Sequence, residues 1–139
     1  IRNVDMVGWQ KGGWRKEALE ILKELGFDGV VYVPEFENPS PELDYKKQTH
    51  WEWHALHNST VIVFWVPRIF PDLPALTTNV EFGYYLGIGK NVVYGRPDNA
   101  HKVRYLDMLY DLSASKKPFN SLRETLEVAI KETDKKIMC

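Results

Sequence analysis

The sequence predicts one α/β domain over residues 1–139, a doubly wound and mainly parallel sheet flanked by helices. Three observations predict it. Short β-branched runs alternate with amphipathic stretches of helix length. Three of those runs are apolar throughout, as strands buried on both faces are. No linker, composition shift or internal repeat divides the 139 residues, a length that one domain ordinarily fills.

The elements follow in order. Val4 to Gly8 is the first strand candidate, although Asp5 interrupts its apolar character. Gly12 and Gly13 break the chain, and Trp14 to Leu25 reads as a helix with Trp14, Ala18, Ile21, Leu22 and Leu25 on one face. Gly26 stops it where a left-handed residue is wanted. Gly29 to Val33 reads as a buried strand closed by Pro34. Phe36 to Asp44, with Asn38, Pro39, Ser40 and Pro41, is a loop, and Tyr45 to Asn58 is helical. Thr60 to Val66 is the strongest strand, ended by Pro67. A proline-rich loop runs to Thr77, and a helix is expected from Thr78 to Ile88. Asn91 to Tyr94 is a short strand; Tyr105 to Leu112 and Ser121 to Lys131 are helices, the last opened by a capping box of Ser121 with Glu124. In such sheets ligands bind beyond the carboxyl ends of the strands. That puts Gly8-Trp9, Pro34-Glu35, Pro67-Arg68 and Gly95-Arg96 along one rim.

Composition narrows the function. Lys plus Arg is 18 against 19 for Asp plus Glu, a net charge of -1. Such a balance gives no footprint for a nucleic acid polymer or an anionic membrane, while a small anion such as phosphate stays admissible. With 44% hydrophobic and 27% charged residues the chain is not of disordered composition. Cys139, the single cysteine, excludes an intrachain disulfide framework and a cysteine-rich zinc fold. No apolar run nears about 18 residues and there is no signal-peptide core, so a soluble, cytoplasmic protein is expected. The chain opens on Ile1 rather than Met, and removal of upstream residues is an expectation of the same kind. Aromatic residues reach 13%, with five Trp, which suits stacking on flat ligands and a plain core alike.

Two constellations can carry chemistry. In Thr77-Thr78-Asn79-Val80-Glu81-Phe82-Gly83, Glu81 is expected in the first helical turn, where the dipole favours its ionised form and makes it a carbon nucleophile. Gly83 and Gly87 leave a bare helix face. The alternative is a simple capping box of Thr78 with Glu81, the glycines letting the helix lie against the sheet. In the second constellation, His50, His54 and His57 form one helical stripe and Glu52 falls opposite, with Ala55, Leu56 and Ser59. The His stripe invites zinc, but it faces away from the small apolar residues and lacks a fourth ligand, so no metal is expected. An inward carboxylate needs a partner or a task. Glu52 therefore reads either as a general acid of raised pKa or as the ion-pair partner of Arg15 or Arg68.

The segments Trp14-Arg15, Gly26 to Glu35, Trp51-Glu52, Phe64 to Arg68 and Thr77 to Gly83 together resemble the nucleoside 2-deoxyribosyltransferase-like family, from Gly8 to about Tyr105. The resemblance implies a Rossmann- or flavodoxin-like domain that breaks an N-glycosidic bond through a glutamate, with retention at the anomeric carbon. It puts Glu81 in the nucleophile's place and Glu52 in that of an aspartate near base and sugar. Gly8 and Trp9 match the turn where an aromatic flanks the base, and Asn99 matches a late asparagine that reaches a neighbouring subunit's site. Arg68, Thr77, Thr78 and Asn79 are expected on the substrate side as well. Three departures stand out: Val4 replaces a tyrosine of the first strand, Glu52 replaces the aspartate, and Ala75 occupies a position usually acidic or Ser, unless Asp72 fills that role from a longer loop.

The resemblance thus implies an enzyme of N-glycosidic cleavage or transfer on a nucleoside or nucleotide, without cofactor, working as a homo-oligomer. Exposed-looking Trp51 and Trp53 support association. The alternative is a non-catalytic nucleotide-sensing or interaction module on the same fold. A zinc-dependent hydrolase using the His stripe is the third reading.

Overall fold

The computed structural model describes residues 3–7, 14–33, 45–70 and 75–137. Among them nine elements follow in the order β1 (Asn3–Val7), α1 (Trp14–Glu24), β2 (Val30–Tyr32), α2 (Tyr45–Asn58), β3 (Val61–Trp65), α3 (Leu76–Gly87), β4 (Val92–Gly95), α4 (Arg104–Ala114) and α5 (Leu122–Ile137). The expected strands and helices are present with shifts at their ends, but β2, expected buried, is an edge strand with Val30 exposed and Val31 and Tyr32 half-buried. The four strands pair in parallel in the order β2-β1-β3-β4. Beyond β4, Phe119 forms a single parallel bridge with Gly95, a rudiment of a further strand position.

β3 shows why the sheet is covered on both sides. All five of its residues are buried. Because side chains alternate along a strand, Val61, Val63 and Trp65 enter one core with Trp14, Ala18, Ile21 and Leu22 of α1 and Leu122, Leu126 and Ala129 of α5. Ile62, Phe64 and Val66 enter the other, with Leu56 of α2, Phe82 and Tyr85 of α3, and Leu106 and Tyr110 of α4. Helices therefore lie on both faces of a small parallel sheet. The second core is rich in edge-on rings: Phe82 meets Phe64 at 5.2 Å and Tyr94 at 5.1 Å between centroids.

Helix ends follow local chemistry in most places. Gly26 takes φ 73° and closes α1, with Phe27 N–H donating to Leu22 O and Gly26 N–H to Lys23 O. Ser121 Oγ accepts the N–H of Glu124 at 3.1 Å, the expected cap of the last helix. That helix runs to Ile137 rather than Lys131, since Thr133 continues the buried stripe of Leu126 and Ala129.

The start of α3 corrects the sequence reading. The helix begins at Leu76, not Thr78; its N-cap is Ala75, left-handed at φ 48°, with no side-chain cap. Thr78 is buried inside the helix instead of capping it, so no Thr78–Glu81 capping box forms. Gly83 and Gly87 have open space where a Cβ would stand, so they do not seat the helix on the sheet; Thr78, Phe82 and Tyr85 do that.

Gly95 is required by close approach. A Cβ there would run into Thr125 Oγ1, which is itself fixed by donation to Ser121 O at 2.7 Å, and would stand 3.1 Å from Phe119 O. Gly95→Ala should therefore lower unfolding stability by about 1–3 kcal/mol, the usual cost of overpacking. Urea denaturation checks this, and restoration by Thr125→Gly in the double variant would assign the cost to that contact.

Candidate functional site

Because the strands are parallel, their carboxyl ends at Val7, Tyr32, Trp65 and Gly95 share one edge of the sheet. The helix after β1 covers one face and the helix after β3 covers the other. Where neighbouring strands send their helices to opposite faces, a crevice opens at their carboxyl ends. By that rule the expected ligand position of this sheet is at the carboxyl ends of β1 and β3. Gly8, Trp9 and Asp72, and the Pro34-Glu35 part of the expected rim, lie outside the described residues.

Arg68 organises the loop after β3. It is 2% exposed. Its Nη1 donates to Lys102 O at 3.0 Å, and its Nη2 donates to Ala75 O at 3.2 Å and to Asn79 Oδ1. Lys102 and Ala75 are both left-handed non-glycine residues, at φ 52° and 48°. One guanidinium thus holds two backbone carbonyls in a conformation side-chain-bearing residues rarely adopt. Its own carbonyl accepts the N–H of His101 at 2.8 Å, and His101 Nδ1 accepts the N–H of Phe70 at 3.1 Å. Burial lowers its pKa from the ordinary arginine value, with the Tyr94 hydroxyl acting weakly the other way. Arg68 therefore clamps three segments at the rim: the end of β3, the start of α3 and the loop before α4.

Among the described residues Glu52 engages neither Arg15 nor Arg68; its Oε1 accepts from Gln48 Nε2 at 3.3 Å, one turn back. It is half-buried beside the buried Ala55, Leu56 and Ser59, the inward side expected for it. Glu81, also half-buried, stands in the second turn of α3, outside the reach of the dipole that the sequence reading invoked. Thr77 and Asn79 are exposed beside it, Asn79 being held by Arg68.

α2 and α3 are neighbours on one face of the sheet. Trp53 packs on Tyr84 at 5.5 Å, and His57 Nδ1 lies 3.0 Å from Tyr85 Oη and 2.9 Å from Trp53 O. Glu81 precedes Tyr85 by four residues and Glu52 precedes His57 by five. At 1.5 Å rise per residue both carboxylates lie about 6–8 Å nearer the helix N-termini than that contact. The fold thus sets Glu52 and Glu81 at similar heights on adjacent helices, toward the rim. His50 and His54 are exposed, whereas His57 is partly buried against Tyr85, so the three histidines are not one solvated stripe. Among the described residues no three His, Cys, Asp or Glu side chains gather to hold a metal.

The rim at β4 was incompletely read from sequence. Arg96 Nη2 pairs with Asp107 Oδ2 at 2.6 Å, and Tyr94 Oη donates to Asp107 Oδ1 at 2.7 Å. Burial, then that hydrogen bond, pushes the Tyr94 phenol above its ordinary range, while Asp107 raises the pKa of Arg96. Asn99 is exposed in the turn that follows. The Arg96–Asp107 pair carries no local spacing signal, because it joins a strand end to the first turn of α4.

The family model for nucleoside 2-deoxyribosyltransferase-like proteins matches residues 8–99, which includes every candidate residue from Gly8 to Asn99. No curated protein matches the chain. No helix among the described residues is long and apolar enough to cross a membrane.

The clamp has a testable consequence. Arg68→Met should cost about 2 kcal/mol, since three acceptors lose a charged donor and the start of α3 loses its tie to the loop before α4. Arg68→Lys should recover less than half of that, because an ammonium cannot replace a planar fork between separated acceptors. Denaturation midpoints of the two variants check the order.

Proposed function

Since the chain belongs to the nucleoside 2-deoxyribosyltransferase-like family, we propose that it breaks the N-glycosidic bond of a nucleoside or nucleotide, with Glu81 as nucleophile and Glu52 as acid. The observation that supports this reading is the pair of half-buried carboxylates on adjacent helices, which begin at the edge where β1 and β3 end. We read the sheet as the core of a Rossmann-like fold, whose ligands sit at that point.

The chemistry follows from charge. As the base departs, positive charge develops at the anomeric carbon, and an ionised Glu81 stabilises it or traps it as a glycosyl ester. The electron pair of the broken C–N bond goes to the base nitrogen, which takes a proton from the Glu52 carboxyl. A second base or water then attacks the same carbon and gives its proton to the Glu52 carboxylate, the electron pair of the ester C–O bond returns to Glu81, and the configuration is retained. Gly8 and Trp9 flank the base in this reading, Asp72 recognises the base in place of Ala75, and Thr77 lies on the substrate side. Arg68, Thr78 and Asn79 act by holding the start of α3 in place, while Asn99 serves a neighbouring copy.

One observation favours a second reading. Ala75 offers only a methyl group at a position usually acidic or Ser in the family, and its carbonyl is taken by Arg68. A nucleotide-sensing module without turnover would tolerate that loss. Incubation with mixed nucleosides and free bases separates the two readings: exchange or free base supports the enzyme, and binding without either supports the module.

Glu81→Gln should leave the melting temperature nearly unchanged and cut turnover by several powers of ten, because the attacking oxygen loses its charge. A near-normal rate would return Glu81 to a structural role. Glu52→Ala should slow substrates with poor leaving bases far more than those with activated bases, since only the former need the proton. Rates on one substrate of each kind, measured beside the melting temperature, check this; equal slowing would remove Glu52 as the acid.

A further inference from the structure

The loop after β3 and the loop before α4 are laced together at the carboxyl edge of the sheet. The N–H of His101 donates to Arg68 O at 2.8 Å, and Arg68 Nη1 donates to Lys102 O at 3.0 Å. A third bond runs from the N–H of Phe70 to His101 Nδ1, at 3.1 Å. That bond fixes the state of the ring. A backbone N–H can only donate, so Nδ1 must accept and the ring proton belongs on Nε2. Among the described residues no other histidine ring accepts from a backbone N–H. The contact therefore exists only while His101 is neutral. A second proton would sit on Nδ1, point at the Phe70 N–H and break the bond.

The surroundings of the ring leave that proton nothing to gain. His101 is exposed, so it exchanges protons directly with solvent. The charged groups of the segments around it are Arg68 after β3, Asp98 and Lys102 in its own loop, and Arg104 and Asp107 in the first turn of α4. Arg68 is engaged with Lys102, Ala75 and Asn79, and Asp107 with Arg96 and Tyr94. Among the described residues no carboxylate pairs with the His101 ring. The Phe70 ring lies 6.5 Å away between centroids, beyond the roughly 6 Å within which a ring face attracts a cation.

We propose that His101 is a pH-operated latch, whose neutral ring holds the backbone at Phe70 to the loop before α4 and whose protonation releases it. Acid removes one of the three ties and adds a cation beside Lys102. The two ties that remain both run through Arg68, which also holds Ala75 and Asn79. A change at His101 is thereby passed to the start of α3. The latch does not depend on the proposed chemistry, because it is a property of two loops and one ring.

Amide exchange followed by NMR tests it, each rate being compared with that of an unstructured chain at the same pH. Between about pH 8 and about pH 5, where histidines ordinarily charge, the protection of the Phe70 amide should fall roughly three- to tenfold, as for one lost hydrogen bond. The Ile62 amide, bonded to Asn91 O in the sheet, should keep its protection. His101→Asn places a carboxamide oxygen near the position of Nδ1 and does not titrate, so Phe70 should stay protected at both pH values. His101→Ala should leave it unprotected at both. Protection of Phe70 that ignores pH in the original chain overturns the proposal. So does a fall of the same size in His101→Asn, or one shared by Ile62, which would mean that acid acts on the whole fold.

Discussion

The alternation of side chains along β3 is the constraint on which the rest of this structure depends. Its odd residues, Val61, Val63 and Trp65, complete one core, and its even residues, Ile62 and Phe64, complete the other. Each such side chain contributes about 1.5–3 kcal/mol when taken out of water. A slip of one residue would exchange every one of them between α1 with α5 and α2 with α3 and α4. The register is therefore held at Val63 against Met6 and Val93, and the carboxyl ends of the strands arrive at a fixed height. That α1 and α3 cover opposite faces after β1 and β3 is a consequence of this two-sided burial.

What the sheet does not fix is the backbone at the rim, and there Arg68 takes over. Left-handed Ala75 and Lys102 each carry a conformational cost of about 1–3 kcal/mol. Both carbonyls face the same guanidinium, so one buried cation offsets the strain of two loops. Charge burial is itself unfavourable, and the lowered pKa of Arg68 reports it. Because three segments share the arrangement, the start of α3 cannot move independently of the loop before α4. Glu81 thus inherits its position from a residue that does not belong to its own helix.

This explains which parts of the molecule were legible in the sequence. α1, α2 and β3 announce themselves through periodicity and through Gly26, signals contained within a few residues. The cap at Ser121 is local too. The start of α3 is not: Ala75 has no capping side chain, and what stabilises it comes from Arg68, seven residues away, in common with Lys102. Gly95 likewise looks like an ordinary strand end until Thr125 of α5 is laid across it. His57 reads as one of three surface histidines, and its contact with Tyr85 joins residues 28 apart. For the site, the inward direction of Glu52 was legible from helical spacing. Its partner Gln48 was not singled out, although it lies on the same helix.

The electrostatics of the rim bear on the kind of charge a ligand can develop there. Among the described residues Arg68 is committed to carbonyl oxygens and Asn79, and Arg96 to Asp107. Glu81 lies beyond the helix turn in which the dipole would favour its ionised form, so its immediate surroundings rather than the helix govern its charge. Glu52 lies on the adjacent helix with a neutral amide as its partner. Two carboxyl groups on adjacent helices would favour positive charge developing between them. Under the proposed reaction, an anomeric carbon losing its base develops charge of that sign. In the proposed reaction the division of labour gives one carboxyl the task of facing the cation and the other that of supplying a proton to the departing base.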